Sequence, residues 1–289
     1  MIVVGASAPA RFPSFHVHTD VMLVLGAMIL GYFVLLRRVG PRSVAPGAEP
    51  ATRFQVACFS IGMSALYLAS SWPIHDIAER SLYSVHMTQH VVYSLVAAPL
   101  LLLGTPGWML RTILRPRGLF VTVRFLSRFL PALILFNLVL VLTHWPAVVN
   151  ATIEQHAVHF IAHVVLMVSS LIVWMPVLSP LPEIPRLTPI GRMVFLFSQS
   201  IVPTVPASFL TFGRTPLYSA YTKFPHLWGA TTIQDQLIAG LIMKIAAGLL
   251  LWAVIAVVWF RWSAREERVD RVDWRKLDRT LDQMRVTNS

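Results

Sequence analysis

The segment SVHMTQH carries the residue types best suited to metal chemistry in this chain. His86 and His90 are four residues apart, so on a helix they share one face, one turn apart. Neutral imidazole is a frequent ligand of copper, zinc and haem iron, and the neighbouring thioether of Met87 favours Cu(I). The plainer explanation is that each histidine hydrogen-bonds to a neighbouring helix, because a histidine pair at this spacing is common.

A second group of histidines follows in NATIEQHAVHFIAH. His156, His159 and His163 stand at positions i, i+3 and i+7, which form one stripe along a helix. Ionisable side chains within a membrane helix are costly unless they face the protein interior or bind something. Histidines clustered at one depth on two helices therefore favour a shared metal site over separate hydrogen bonds.

Asp235 opens the last apolar segment, which contains DQLIAGLIM. Its carboxylate could orient a ligating histidine or bind the metal itself. An acidic residue is equally well explained at a helix N-terminus, where the helix dipole stabilises it. The single cysteine, Cys58, excludes an internal disulfide and a metal site with two thiolates from one chain.

The elements that must position these residues are membrane helices. The chain has 289 residues, of which 56% are hydrophobic and only 13% charged, a composition unlike that of a soluble domain. Apolar segments long enough to cross about 30 Å of hydrocarbon recur along its whole length. The predicted fold is an all-α membrane protein, a bundle of seven transmembrane helices. They cover residues 20–39, 54–72, 82–104, 126–145, 156–178, 190–212 and 236–262.

Basic residues predict the orientation of this bundle. Nineteen lysines and arginines flank one side and four flank the other, and the positive-inside rule assigns the richer side to the cytoplasm. The N-terminus is therefore predicted outside and the C-terminus in the cytoplasm. All ten histidines then fall in the outer half, with His75 and His226 in outer loops and His144 at a helix end. The net charge of +11 thus reflects membrane topology, and no nucleic acid partner is expected.

Two short segments complete the predicted organisation. Residues 1–19 form an outer N-terminal segment, residues 20–262 the membrane domain, and residues 263–289 a cytoplasmic tail. The aromatic-rich loop 215–233 is expected to lie along the membrane interface. Lys244, in the seventh helix, is predicted to face the bundle interior, since an ammonium exposed to lipid is costly. An apolar stripe at helical spacing predicts an amphipathic helix in the tail: Trp274, Leu277, Leu281 and Met284.

Several motifs along the chain resemble those of one known family. In order they are HMTQH, APLLLLGTP, NATIEQHAVHFIAH, PLYSAY and DQLIAGLIM. This ordered set, over about residues 72–252, is similar to that of the multi-spanning CtaG family of cytochrome c oxidase assembly factors. The resemblance implies a multi-pass protein of the bacterial plasma membrane that supports copper insertion into a haem–copper oxidase. It implies an assembly factor and not an enzyme.

The resemblance also implies which residues act. Copper, as Cu(I) or Cu(II), would be held near the outer leaflet and passed to the oxidase subunit, and the sequence identifies no copper donor. His156 is an additional histidine outside the family pattern. The residues that match the motifs, and are therefore expected to bind copper or orient its ligands, are His86, Met87, His90, His159, His163 and Asp235.

Two other functions remain open from the residues alone. Histidines with an aspartate could form a water-activating zinc site, as in a seven-helix intramembrane hydrolase of the alkaline ceramidase type. Histidines on the third and fifth helices could instead bind haem from both sides. The identity of the bound metal and the presence of haem absorbance would separate these functions from copper binding.

Overall fold

Helices make up the regular structure of the chain. The computed structural model describes the backbone of residues 12–287 and the side chains of residues 12–268. Within that range there are eleven α-helices, two single 3-10 turns and no strands. The helices are α1 (Thr19–Ser43), α2 (Arg53–Ser70), α3 (Ile74–Arg80), α4 (Tyr83–Gly104), α5 (Gly107–Ile113), α6 (Arg117–Leu126), α7 (Phe129–Thr143), α8 (Pro146–Glu154), α9 (His156–Leu178), α10 (Pro189–Phe212) and α11 (Thr232–Arg268, with helical backbone to Thr287).

The lengths of these helices agree with a membrane bundle. Five of them, α1, α4, α9, α10 and α11, are each long and apolar enough to cross a membrane. Two bent pairs, α2 with α3 at 43° and α6 with α7 at 88°, raise the number to seven if each pair forms one span. The prediction of an all-α membrane protein is confirmed, and the predicted ranges 82–104 and 156–178 agree with α4 and α9 within one residue. The orientation of the bundle stays a prediction from its charges.

Helix α4 lies at the centre of the bundle. It packs against α2, α9 and α11, and its first turns also contact α3. Gly104 in α4 lets this helix lie close to α2, because it has no side chain. A Cβ at this position would lie 2.5 Å from the backbone nitrogen of Phe59 in α2. The histidines of α4 therefore lie where several helices converge.

Lys244 does not face the bundle interior, so that prediction is wrong. Its side chain is exposed on α11, within a π-helical turn at Ile242–Ala246. The ammonium donates a hydrogen bond to the hydroxyl of Thr204 in α10. Thr204 directly follows the break at Pro203 in that helix. Lys244 can stay exposed because this hydroxyl provides a hydrogen-bond partner without burial of the charge.

The two ends of the chain are described in part. Residues 1–11 lie outside the described residues, and so do the side chains of Trp274, Leu277, Leu281 and Met284. The helical backbone of α11 continues through residue 263, where the predicted tail begins. The division into a membrane domain and an amphipathic tail stays a prediction.

Candidate metal centre

Three of the predicted ligands converge in the core of the bundle. One ring nitrogen from each of His86, His90 and His163 lies within 4.8 Å of the other two, and we call this group the buried triad. The ring centroids of His86 and His90 are 4.4 Å apart, and that of His163 is 5.5 Å from His90. Nitrogens bonded at about 2 Å to one metal ion are roughly 3.5 Å apart. Small movements of the rings would therefore complete a coordination site.

The nitrogens of the buried triad lack the partners that buried polar groups normally have. Nδ1 of His86, both ring nitrogens of His90 and Nε2 of His163 are buried, with no hydrogen-bond partner among the described residues. An unpaired buried polar group costs about 1–3 kcal/mol, and native proteins keep few of them. A metal ion would use one lone pair from each of the three rings. The residues therefore fit a metal site better than a set of structural hydrogen bonds.

His159, the fourth predicted histidine ligand, lies in a different group. Its Nε2 is 3.3 Å from Oε1 of Glu79 in α3, and Nε2 of His75 is 3.3 Å from the same oxygen. Ligand atoms of these three residues also lie within 4.8 Å of one another, and we call this group the cavity cluster. The ring centroids of His159 and His163 are 4.2 Å apart, so the two groups are in contact.

The sequence does not single out His75 and Glu79 as members of a site. It does contain a signal, because the two residues are four apart in IHDIAER, the same spacing as His86 and His90. His75 is expected in a loop, whereas the segment forms α3, which is bent by 43° from α2. This bend brings the ring centroid of His75 to 5.3 Å from that of His159.

A polar cavity of about 380 Å³ lies beside the cavity cluster. Its lining includes His18, His75, Asp76 and Glu79. Nε2 of His18 is 3.0 Å from Oδ2 of Asp76, and the ring centroids of His18 and His75 are 4.5 Å apart. Histidine rings are therefore in contact with one another from this cavity to the buried triad.

Asp235 holds the start of α4 through the backbone. Its carboxylate accepts hydrogen bonds from the N–H groups of Tyr83, at 2.6 Å, and Ser84, at 3.1 Å. These N–H groups belong to the first turn, which has no partners within its own helix, and the helix dipole favours a negative charge there. Of the two explanations from sequence, the structure supports the helix terminus, because Asp235 lies in the first turn of α11 and its carboxylate also caps the start of α4. Asp235 thereby positions His86, which lies one turn further along.

Met87 contacts a histidine outside the buried triad. Its Sδ lies 3.3 Å from Nε2 of His144, the residue that follows α7. The sequence gives His144 no role in the site, because 57 residues separate it from Met87. Only the packing of α7 on its neighbours brings the two side chains together.

The loop between α10 and α11 packs into the bundle. Its sequence predicts a position along the membrane interface, but Tyr218 and Tyr221 are only 3% and 1% exposed, so that prediction is wrong for these residues. Tyr218 donates a hydrogen bond to the backbone oxygen of His144, and Tyr221 donates one to that of Ala78 in α3. Burial raises the pKa of Tyr218 to about 12, so its hydroxyl remains a donor. The physical reason is that the hydroxyls of both tyrosines form buried hydrogen bonds with the backbone, and these bonds hold the segments next to the histidines in place.

His156 lies apart from both histidine groups, although it belongs to the same helix as His159 and His163. Its side chain is 70% exposed, and its Nε2 is 3.4 Å from Oδ2 of Asp20 in α1. It therefore offers a matched control for substitutions of the buried histidines of α9.

The fold and the site define the class of this protein. It is an all-α membrane protein with several spans, and its core contains histidines whose ring nitrogens are buried and unpaired. A family model described as cytochrome c oxidase caa3 assembly factor (Caa3_CtaG) matches residues 30–265. The chain belongs to this family, as its motifs predict, and the family's role implies association with cytochrome oxidase. Among curated proteins and among solved structures, no match to the chain is found.

Proposed function

We propose that this member of the family binds copper in the buried triad and supports its insertion into the haem–copper oxidase. The observation that carries the proposal is the set of buried, unpaired ring nitrogens on His86, His90 and His163. Imidazole is a good copper ligand, and copper heads the affinity order of the divalent first-row metals. The role is to bind and deliver the ion, and the chain itself performs no catalytic step.

The charge of the site favours monovalent copper. The buried triad contains no carboxylate, so a bound ion keeps its whole charge in an interior of low dielectric constant. The Born cost of burying an ion grows with the square of its charge, so Cu(I) would cost about a quarter as much as a divalent ion of equal size. Both ring nitrogens of His159 are also buried and without a hydrogen-bond partner among the described residues, and one of them could supply a further ligand beside His163.

The position of the site suits delivery within one membrane. The bundle would lie in the bacterial plasma membrane, with its histidine-bearing end outside, as the positive-inside rule predicts. The polar cavity lined by Asp76 and Glu79 would then be the entrance for copper from a donor outside the cell. The oxidase subunit would accept the ion from the side of the bundle.

The two alternative functions differ in how well they fit the structure. Haem fits poorly, because the cavity beside His90 has about 70 Å³, whereas cofactor pockets occupy roughly 300–1,000 Å³. Zinc has more support in the cavity cluster, since two histidines and a glutamate are a ligand set of catalytic zinc sites. A zinc hydrolase predicts one zinc ion per chain and hydrolysis of an amide lipid.

Elemental analysis of the full chain, purified in a mild detergent after copper loading, tests the proposal. We expect about one copper ion or more per chain and no haem absorbance. The His90→Ala variant should lose most of this copper, because the buried triad would keep only two ligands. His156→Ala is the matched control and should keep it.

Oxidase activity in membranes that contain each variant connects copper binding to assembly. We expect it to fall with His90→Ala and to stay normal with His156→Ala. Full copper occupancy in purified His90→Ala would overturn the proposed site. One zinc ion per chain, with no copper, would support the zinc hydrolase instead of the copper-binding assembly factor.

A further inference from the structure

The contact between Met87 and His144 joins two groups that have lone pairs facing each other. Sδ of Met87 and Nε2 of His144 are 3.3 Å apart, and the two residues are 2% and 7% exposed. A thioether sulfur is only a weak acceptor and carries no proton. The contact is therefore a hydrogen bond only if the imidazole carries a proton on Nε2.

The backbone of α7 determines where the proton of His144 resides. Nδ1 of His144 lies 2.6 Å from the carbonyl oxygen of Leu140, and a carbonyl oxygen can only accept, so Nδ1 is the donor. In the neutral ring, Nε2 then carries a lone pair that faces the sulfur of Met87. A doubly protonated ring would satisfy both contacts, but it would place a positive charge among apolar side chains such as Leu166 and Phe136.

A third donor and a small space lie beside this pair. The ring centroid of His90 is 5.7 Å from that of His144, and both nitrogens of His90 are buried and unpaired. A neutral ring offers one lone pair, so His90 can direct it either to the buried triad or to the space beside Met87 and His144. A cavity of about 70 Å³ is lined by Met87, His90 and His144, and this volume is sufficient for a single ion.

We propose that Met87, His144 and His90 form a second copper position next to the buried triad, selective for Cu(I). This inference rests on the proposed copper function and adds a second position to it, with a sulfur ligand and a new histidine. Thioether together with imidazole selects the soft monovalent ion over Zn²⁺, Mg²⁺ or Ca²⁺. His90 would be the ring shared by the two positions, and it would bind the ion in one position at a time, because a neutral imidazole has a single free lone pair.

The surroundings hold His144 ready for this role. Its backbone N–H donates to the carbonyl of Leu140, and its backbone oxygen accepts the hydroxyl of Tyr218 at 3.0 Å. The Nδ1–H bond to Leu140 fixes both the tautomer and the ring plane, as such outer bonds do for metal-ligating histidines. The ring therefore presents Nε2 to Met87 without needing a rearrangement.

X-ray absorption at the copper edge tests the second position directly. The full chain is produced with selenomethionine, purified in detergent and loaded with Cu(I) without oxygen, so that a methionine ligand appears as a copper–selenium distance. We expect this signal in the wild type and its loss in Met87→Leu, while copper–nitrogen distances remain. Met243→Leu is the matched control, because Met243 lines the same cavity, and it should keep the selenium signal.

Competition with a Cu(I) chelator measures the same effect as an affinity. Met87→Leu and His144→Gln should each weaken Cu(I) binding by about tenfold or more, the scale of effects at metal sites. Their Zn²⁺ binding should change by less than about twofold. The double variant should be little worse than either single variant, since both ligands belong to one site.

Two results would overturn the inference, and they have different meanings. Copper bound by nitrogen alone in the wild type, with normal Cu(I) affinity in Met87→Leu, removes the second position and leaves the buried triad intact. A chain that binds copper in neither valence removes the second position and the proposed function together.

Discussion

The buried triad and the cavity cluster have the same geometry but different chemistry. Each brings three ligand atoms within 4.8 Å of one another, and each takes two of its residues from one helix at a spacing of four and the third from α9. The cavity cluster includes a carboxylate, that of Glu79, and lies beside a polar cavity. The buried triad consists of imidazoles alone.

The difference lies in where the protons and lone pairs find partners. Nε2 of Gln89 is 3.3 Å from Nδ1 of His75 and donates to it, so the neutral ring of His75 carries its proton on Nε2, which faces Glu79 at 3.3 Å. The carboxylate thus satisfies His75 without any metal, whereas both ring nitrogens of His159 lack a hydrogen-bond partner among the described residues although Nε2 lies 3.3 Å from the same carboxylate. No described side chain satisfies His90, whose two nitrogens are both unpaired. Proximity of ligand atoms alone therefore does not distinguish the two groups, whereas the carboxylate that pairs with His75 in the cavity cluster does.

The largest expected effect is the difference in copper content between the two groups. His163→Ala should lower the copper bound at the buried triad by about tenfold or more, since even outer residues of metal sites contribute on this scale, so that only the position beside Met87 and His144 could retain copper. Glu79→Gln, which keeps the size of the side chain, should change the copper content by less than about twofold. The measurement is elemental analysis after identical loading in detergent.

A double substitution sharpens this prediction. The His86→Ala, His163→Ala variant should be little worse than either single variant, because ligands of one ion act as a unit. If Glu79→Gln lost as much copper as His163→Ala, the cavity cluster would be part of the same site and the comparison would fail.

In the metal-free protein, a substitution in the cavity cluster should lower the free energy of unfolding more than a substitution in the buried triad. Glu79→Leu removes the carboxylate that accepts the ring proton of His75 and lies 3.3 Å from Nε2 of His159, so it should destabilise the metal-free protein by about 1–3 kcal/mol. His163→Leu removes an unpaired buried nitrogen and should cost little, because replacing an unsatisfied polar group with an apolar one is nearly neutral. Thermal unfolding followed by tryptophan fluorescence in detergent measures both.

Added copper provides the control for the stability experiment. It should raise the unfolding temperature of the wild type and of Glu79→Leu, since a ligand at 100 times its dissociation constant adds about 2.7 kcal/mol. The rise should be smaller for His163→Leu, which keeps only the second position formed by Met87, His144 and His90. A metal-free His163→Leu that unfolds well below Glu79→Leu would show that the nitrogens of the triad have structural partners.

The smallest expected effect is that of Asp235, which acts on the buried triad through the backbone. Asp235→Asn keeps one acceptor oxygen for the first turn of α4 and removes the charge, so it should cost about 1 kcal/mol. Copper content should fall only severalfold, because His86 and His90 would shift with their helix and remain ligands. Asp20→Asn, at the exposed start of α1, is the control and should have no effect. A loss as large as that of His163→Ala would identify Asp235 as a ligand.

The sequence by itself determines the membrane fold and the local pairs of ligands. Seven apolar segments can be recognised in the sequence because the hydrocarbon thickness sets a minimum length for a span. These segments are predicted to be helices because every backbone group in lipid must be paired within its own helix. His86 and His90 share a face because helix periodicity depends only on spacing. The family motifs, which extend over residues matched by the family model, come from the same local segments.

Only the tertiary structure decides which of these residues meet. Met87 and His144 are separated by 57 residues, and Asp235 and Tyr83 by 152, so their contacts depend on how helices rotate and tilt against one another. His159 and His163 share a stripe, yet one contacts Glu79 and the other joins the buried triad. The physical reason is that a sequence lists donors and acceptors, whereas packing alone determines which of them remain without a partner and are available for a metal.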